Sequence, residues 1–162
     1  MWRGKTLSLD RSLEEEHPSR MGLIYADLEL IRSDDLALVR GGYLSPEKVR
    51  GIIVRALVDS GAYQLCINEN IKRQLDLPHV DTITAELADG RLADLELVGP
   101  VEIRFKNRKT VCNAAVLPGE TEVLLGSVPM EDMDLVLYPK EERMDINPAT
   151  PYVSKRKIKS GV

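Results

Sequence analysis

The sequence predicts an all-β protein, either a barrel or a sandwich, on the strength of three observations. Apolar and polar residues alternate with a period of two over much of residues 21–140, which is typical of half-buried strands. Turn residues interrupt this alternation at short intervals, as at Asp89-Gly90 and Pro118-Gly119. Only two segments have the features of helices. Many short strands joined by tight turns indicate a barrel or a sandwich.

The first half of this region contains three predicted strands and one helix. Residues 22–31 and 36–40 are predicted strands joined by a polar link. Residues 51–58, GIIVRALV, are rich in β-branched side chains and nearly all apolar, so they predict a central strand. A helix is expected from about residue 68 or 70 to Leu75, because an asparagine can cap its start and a proline follows its end.

The second half is dominated by hairpins. Residues 82–88 and 91–98 flank Asp89-Gly90, one of the strongest hairpin signals. Two further strands, 100–106 and 109–117, are expected to pair around Asn107-Arg108. The remaining predicted elements are a buried strand at 122–126, a short helix within 127–133 and a last strand at 134–138.

The chain is expected to form one structured domain with an extension at each end. Its 162 residues suit a single core. Residues 1–20 are predicted to be a polar N-terminal extension, and residues 21–140 the structured domain. Residues 141–162 contain two prolines and a run of basic residues, so they predict a basic, flexible tail.

The composition of the chain indicates which binding partners, cellular location and metal sites are to be expected. The net charge of −4 gives no reason to expect nucleic acid or a membrane surface as a partner. The sequence has no uninterrupted apolar segment of about 18 residues, and we expect a cytoplasmic protein. Two cysteines and two histidines are too few for the usual zinc sites, so neither a metal nor another cofactor is expected. The thiols are expected to be reduced and to pack in the core.

Asp59 is the candidate functional residue, because it ends a buried strand where a charge is costly unless it is used or satisfied. It begins the tripeptide Asp59-Ser60-Gly61, which occurs once in the chain. All three residue types are common in turns, and a D-[ST]-G tripeptide arises by chance in roughly one chain in fifteen of this length. The tripeptide alone therefore does not separate a turn from a catalytic group.

The surroundings of the tripeptide are more specific. Apolar residues precede Asp59, Ala62 follows Gly61, a hairpin comes later, and Leu124-Leu125-Gly126 leads into the predicted short helix. This ordered set, spread over residues 21–140, resembles the retropepsin-like (retroviral-type, clan AA) aspartic proteases. The resemblance implies a closed acid-protease barrel with one or two short helices and a single-lobe subunit.

The resemblance also implies an activity and a partner. Aspartic proteases hydrolyse peptide bonds with a water molecule that two carboxyl groups activate, one ionised and one protonated. This chain supplies one such aspartate, Asp59, so the second must come from another copy. The expected protein is therefore a homodimeric aspartic endopeptidase that acts on an extended peptide or protein substrate.

By the same resemblance, further residues support the site. Ser60 would form a hydrogen bond across the dimer, and Gly61 would allow close approach of backbone and substrate. The remaining supporting residues are Ala62, Leu124, Leu125 and Gly126. The hairpin tip, Ala88, Asp89, Gly90 and Arg91, would be a flap over the substrate. This tip has fewer glycines than retroviral flaps.

Two other hypotheses remain open from the sequence. The protein could be a dimeric β module of the same fold that binds extended peptides without cutting them. It could also be an unrelated β-barrel that binds a small molecule, with Asp59 as an ordinary turn residue. Replacement of Asp59 by asparagine separates the protease from these two hypotheses, because only the protease would lose a cleavage activity.

Overall fold

The computed structural model describes residues 22–158. The predicted N-terminal extension, residues 1–20, lies outside this range. Within it, no helix is long and apolar enough to cross a membrane. The strands are β1 (Ile24–Arg32), β2 (Gly51–Val58), β3 (Leu65–Asn68), β4 (His79–Glu86), β5 (Leu92–Phe105), β6 (Arg108–Leu117), β7 (Val123–Leu125), β8 (Leu135–Tyr138) and β9 (Arg143–Ile146). The helices are α1 (Ser33–Arg40), α2 (Glu69–Leu75) and α3 (Ser127–Asp132), with short 3-10 turns at Pro46–Lys48 and Pro139–Glu141.

Six strands close into a barrel. Hydrogen bonds connect them in the order β1-β2-β7-β3-β6-β5, and β5 pairs back with β1, from Glu29 opposite Arg104 to Arg32 opposite Val101. Strand β4 pairs with β5 and extends the sheet beyond the ring. The prediction of an all-β, closed barrel is confirmed; one or two short helices are expected from the sequence, and residues 22–158 contain three α-helices.

The alternation of side chains along β1 and β2 places the core inside the ring. Leu28 and Leu30 of β1 and Ala56 of β2 are at most 1% exposed. On the opposite face, Asp27 and Arg55 lie directly across from each other, with 3.9 Å between carboxylate and guanidinium. The period-two pattern of the sequence thus separates core from surface, as expected for antiparallel strands. Observed β2 has the same bounds as the predicted strand 51–58.

Residues 36–40 form part of α1, so the prediction of a strand there is wrong. Leu-Ala-Leu-Val fits a strand or a helix equally well, and the residues before it decide the outcome. Asp35 is 2% exposed and accepts hydrogen bonds from Arg32 Nη1 (2.8 Å) and from the backbone N–H of Arg50 (2.9 Å). Burial raises the pKa of Asp35, but the two hydrogen bonds and the positive charges of Arg32 and Arg50 together outweigh burial and hold it below its usual value. The anchored carboxylate lies in the first helical turn, where a negative charge is favourable.

The predicted strands 91–98 and 100–106 are one long strand, β5, with a bulge. Val98 lies opposite Ala114 and Val101 opposite Cys112, so Gly99 and Pro100 face Asn113 alone. Gly99 has φ 150°, and a Cβ atom at this position would lie 2.6 Å from Asn113 Oδ1. Glycine is therefore required here for both conformation and space.

Helix α2 confirms the helix predicted near residues 68–75. Asn68 is its N-cap, and its side-chain oxygen accepts a hydrogen bond from the backbone N–H of Ile71 at 2.9 Å. The helix ends at Leu75, and its C-cap, Asp76, adopts the left-handed conformation with φ 48°.

Regular structure continues beyond residue 140, where the sequence predicts a flexible tail. Strand β9 lies within 141–162 and pairs with β8, from Leu135 opposite Ile146 to Tyr138 opposite Arg143. Met144 of β9 is 5% exposed and belongs to the core. The chain therefore returns to the barrel after β8.

Candidate active site

The loop that contains Asp59 lies where two strands distant in sequence run side by side. Strand β7 fits between β2 and β3: it pairs in parallel with β2, with Val58 opposite Leu125, and antiparallel with β3, with Cys66 opposite Leu124. Residues 59–64 connect β2 to β3 across the end of β7. We call residues 59–64 the Asp59 loop. Its position is set by β7, because β7 holds the strands at both ends of the loop.

Hydrogen bonds fix the backbone and the carboxylate of Asp59. Its N–H donates to the carbonyl oxygen of Leu125 at 3.0 Å, and its carbonyl oxygen accepts from the N–H of Ala62 at 3.0 Å. The N–H of Gly61 donates to Asp59 Oδ1 at 2.9 Å. Among the described residues, the carboxylate accepts this hydrogen bond alone, so Oδ2 is left for solvent, substrate or a second carboxyl. The half-buried side chain is thus oriented by its own turn.

Helix α3 supports the other side of the Asp59 loop. The backbone N–H of Ser127 donates to the carbonyl oxygen of Ala62 at 2.9 Å, and that of Val128 to the carbonyl oxygen of Tyr63 at 3.0 Å. Two N–H groups at the start of α3, which have no acceptor within the helix, are satisfied by the loop. The supporting role of Ser127 and Val128 is not evident from the sequence, because it uses backbone groups.

Gly126 lets these two segments approach each other. A Cβ atom on Gly126 would lie 2.5 Å from the carbonyl oxygen and 2.6 Å from the backbone nitrogen of Gln64. Because both atoms are backbone, they cannot move aside as a flexible side chain can. Any residue larger than glycine would push the Asp59 loop away from β7 and α3.

The structure therefore brings the predicted central residues together. Ser60 and Gly61 are exposed beside Asp59, and a Cβ atom on Gly61 would lie 3.2 Å from Asp59 Oδ1. Leu125 contacts Asp59 through the backbone, while Leu124 lies between β2 and β3. The proximity of these residues is a structural fact, and their roles in catalysis stay predictions.

The predicted flap is the tip of the β4–β5 hairpin. Its turn is closed by a hydrogen bond from the N–H of Leu87 to the carbonyl oxygen of Arg91 at 2.8 Å, and Gly90 has φ 84°. Arg91 Nε lies 2.7 Å from Asp89 Oδ2. Hydrogen bonds from the side chain and backbone of Arg91 lower the pKa of Asp89. Ala88, Asp89, Gly90 and Arg91 are all exposed, and their function as a flap stays a prediction.

The two cysteines are free thiols. Burial raises the pKa of Cys66, and the negative charge of Asp59 raises it further. Burial also raises the pKa of Cys112 to about 12, with an added contribution from Asp132. Both thiols are therefore protonated at neutral pH and poorly suited to act as nucleophiles. Across residues 22–158, no cluster of three or more His, Cys, Asp or Glu side chains could hold a metal ion.

Comparison with known proteins identifies one family. A family model described as aspartyl protease matches residues 46–128, just over half of the 162 residues. This range contains the Asp59 loop, the β4–β5 hairpin, β7 and Gly126. No curated protein matches the chain. Among solved structures, one that matches is the crystal structure of Lpg0085, a protein of unknown function (DUF785) from Legionella pneumophila subsp. pneumophila str. Philadelphia 1. It is 12% identical, covers 69% of this chain and 85% of that chain, and gives a TM-score of 0.34.

Proposed function

Since this chain belongs to the aspartyl protease family, within the retropepsin-like clan, we propose that it is an aspartic endopeptidase whose active site forms between two copies of the chain. The observation that carries this proposal is the position of Asp59, whose backbone is held by Leu125 and whose carboxylate is oriented by Gly61. The sequence contains a single D-[ST]-G tripeptide, so each copy would supply one carboxyl.

The proposed reaction needs two carboxyls in different protonation states. Two such groups about 3 Å apart do not both ionise readily, so they share one proton. The ionised group takes a proton from water as the water oxygen attacks the substrate carbonyl carbon. The protonated group gives its proton to the carbonyl oxygen. Collapse of the tetrahedral intermediate breaks the C–N bond, and the leaving nitrogen takes the proton that one carboxyl holds. One hydroxyl of the intermediate gives its proton to the other carboxylate as the carbonyl re-forms, so the pair again shares one proton.

Apolar side chains beside the Asp59 loop support the dimer. Tyr63 is 75% exposed and Val128 is 43% exposed, and the two residues are joined by a backbone hydrogen bond. Exposed apolar groups next to a half-formed site favour burial by a partner. In the proposed dimer, a second copy covers these side chains, and the Ser60 hydroxyl donates across the two-fold axis.

The β4–β5 hairpin is proposed to close over an extended substrate. One of its faces is apolar, with Leu95 buried and Ile83 and Ala85 half-buried. The opposite face is polar, with Thr84 and Asp94 joined by a hydrogen bond of 2.8 Å. Closure of the apolar face over the substrate would exclude water from the carboxyl pair. We further propose a cytoplasmic location, because a reducing compartment suits two free thiols.

The test is peptide cleavage by the full chain and by Asp59→Asn. A peptide library is incubated between pH 4 and pH 7, and products are identified by mass spectrometry. We expect Asp59→Asn to reduce cleavage about 10²–10⁴-fold, the usual contribution of a positioned acid–base group. Dimer size and the free energy of unfolding should stay unchanged, because the asparagine oxygen can still accept the Gly61 hydrogen bond.

Asp27→Asn is the matched control, since it removes an exposed carboxylate from β1, outside the Asp59 loop. This variant should cleave like the unmodified chain. Cleavage that survives in Asp59→Asn would refute the proposal. A dimer that binds peptides without cutting them would instead identify the non-catalytic module.

A further inference from the structure

Residues 147–156, which follow β9, make three hydrogen bonds with one carboxylate of the domain. We call this stretch the C-terminal strap. Asp134 Oδ1 accepts a hydrogen bond from Asn147 Nδ2 at 3.0 Å, and Asp134 Oδ2 accepts from the backbone N–H of Lys155 at 2.8 Å. The hydroxyl of Thr150 also donates to Asp134 Oδ2. Three donors spread over nine residues therefore converge on a single side chain.

Thr150 also connects Asp134 to a buried cation. Arg108 is 2% exposed, and its Nη2 donates to the backbone carbonyl oxygen of Thr150. Its Nε and Nη1 are buried without a hydrogen-bond partner among the described residues. A buried guanidinium is costly without compensation. Thr150 thus binds both this cation and Asp134, and the positive charge of Arg108 helps to lower the pKa of Asp134.

Two further contacts hold the part of the strap that follows Thr150. Asn107 Nδ2 donates to the carbonyl oxygen of Pro151 at 2.9 Å, and Arg156 Nη1 lies 3.4 Å from Asp132 Oδ1. Asp132 is the last residue of α3 and also accepts a hydrogen bond from the hydroxyl of Thr110. The strap therefore binds Asp132, at the end of α3, as well as Asp134.

Helix α3 connects this attachment to the Asp59 loop. Its first two residues, Ser127 and Val128, donate to the loop, and the N–H of Asp134 donates back to the carbonyl oxygen of Glu131. Six helical residues span only about 9 Å. Met130 and Met133 are buried, so the helix packs firmly. A shift of Asp134 would therefore displace the two backbone donors at the other end of α3.

The backbone of Asp134 itself depends on these contacts. Its φ of 56° is in the left-handed region, which is unfavourable for a residue other than glycine. Such conformations persist where surrounding contacts determine them. The three donors of the strap provide such contacts, together with the N–H of Asn147, which donates to the carbonyl oxygen of Asp134 at 3.1 Å.

We propose that Asp134 is a positioning residue: by holding the C-terminal strap, it fixes α3 and, through α3, the loop that carries Asp59. The effect on cleavage rests on the proposed protease function, whereas the link between strap and loop does not. The strap is thus part of the machinery that orients the catalytic carboxylate.

The link is tested by amide hydrogen exchange in the full chain. Thr150→Val removes the hydroxyl that Asp134 binds, and we expect exchange at the amides of Ser127 and Val128 to accelerate roughly tenfold, as for the loss of a hydrogen bond to a charged group. Thr150→Ser keeps the hydroxyl and should restore the slow exchange. Amides of β1, such as Leu28, should not change.

Asp134→Asn provides a second variant. An amide NH₂ group in place of Oδ2 is a donor, so it could not accept the hydrogen bond from the N–H of Lys155. This variant should accelerate the same two amides. Asp145→Asn is the control, because the Asp145 carboxylate binds Lys106, Arg143 and the backbone N–H of Ile146, and none of these residues belongs to the strap or to α3. Unchanged exchange at Ser127 and Val128 in both test variants would overturn the proposal, as would equal acceleration throughout the barrel.

Enzyme kinetics then separate the two proposals. If the protease function holds, Thr150→Val should lower kcat several-fold with KM nearly unchanged, because the substrate still binds while the carboxylate is less well oriented. An unchanged kcat would overturn the positioning role in catalysis. If the unmodified chain does not cleave peptides but the exchange results are as expected, the link stands and the protease function fails.

Discussion

The Asp59 loop and the tip of the β4–β5 hairpin are both turns that depend on a glycine, but for different reasons. Gly126, beside the loop, is required because backbone atoms of Gln64 lie 2.5 Å and 2.6 Å from the position of its missing Cβ. Gly90, in the tip, has open space around it and is required because its φ is 84°. The first glycine is needed for packing and the second for conformation.

This difference shows which region is fixed in a single chain. Strand β7 and α3 both bind the Asp59 loop, so its geometry is determined by the rest of the barrel. The hairpin tip is closed mainly by its own hydrogen bonds and one ion pair. In the proposed protease, the Asp59 loop would keep the carboxylate rigid and the hairpin tip would act as a movable cover. Substitutions in the two regions should therefore differ in how large their effects are and in how far they spread.

Gly126→Ala should be the most damaging change. The new methyl group would contact backbone that cannot rotate away, so we expect a loss of about 3 kcal/mol in the free energy of unfolding, measured by urea denaturation. Gly51→Ala in β2 is the control, because its Cβ would meet its nearest neighbours at 3.5 Å, an ordinary contact. A Gly126→Ala protein as stable as Gly51→Ala would contradict the tight packing described above.

Acidic pH should weaken the hydrogen bonds between the C-terminal strap and the Asp134 carboxylate. Hydrogen bonds from Thr150, Asn147 and Lys155 lower the pKa of Asp134 to about 2, below its ordinary value of 3.8. Its contribution to stability is therefore complete above about pH 4 and is lost as the pH falls through about 2. Urea denaturation between pH 5 and pH 2 should give a smaller decrease in stability for Thr150→Val than for the unmodified chain. Equal decreases would show that Thr150 does not contribute to this pKa.

Gly90→Ala should affect the hairpin tip alone. A left-handed conformation costs a residue with a Cβ about 1 kcal/mol, and the space around Gly90 adds no clash. We expect the backbone amides of residues 87 and 90 to exchange faster in the variant, and the amide of Ser127 to exchange at an unchanged rate. Asparagine tolerates this conformation better, so Gly90→Asn should show a smaller effect. Acceleration that extends to Ser127 would mean that the tip and the Asp59 loop are coupled.

Arg91→Ala should have the smallest effect on stability. The ion pair with Asp89 lies at the surface, where such pairs contribute little. Its removal should raise the pKa of Asp89 toward the ordinary value, because Arg91 is the main cause of the lowering. An NMR titration of the Asp89 carboxyl measures this shift. A large loss of stability would show that the tip packs against the rest of the domain.

The sequence predicts most of the barrel because local patterns determine it. The β-branched run at 51–58 predicts strand β2 with the same bounds as the structure shows, and Asn68 caps α2 as expected. The arrangement around Asp59 is different, because the tripeptide alone is ambiguous. Its proximity to Gly126 follows from the family resemblance, since no local pattern joins residues so far apart in the chain.

The elements that the sequence does not predict depend on isolated polar contacts. Helix α1 is fixed by Asp35, whose partner Arg50 comes 15 residues later. The C-terminal strap is held by Thr150 and Asn147 on Asp134, and single hydrogen bonds leave no periodic signal. Prolines and basic residues in this stretch instead suggest a flexible tail.

Strand β7 has a consequence for how the domain is made. It is three residues long, and its partners in β2 precede it by 67 positions, as Val58 precedes Leu125. Contacts between such distant segments form slowly and late in folding. A chain emerging from the ribosome therefore exposes Asp59 long before the strand that fixes it has been synthesised. Formation of the Asp59 loop is coupled to completion of the barrel.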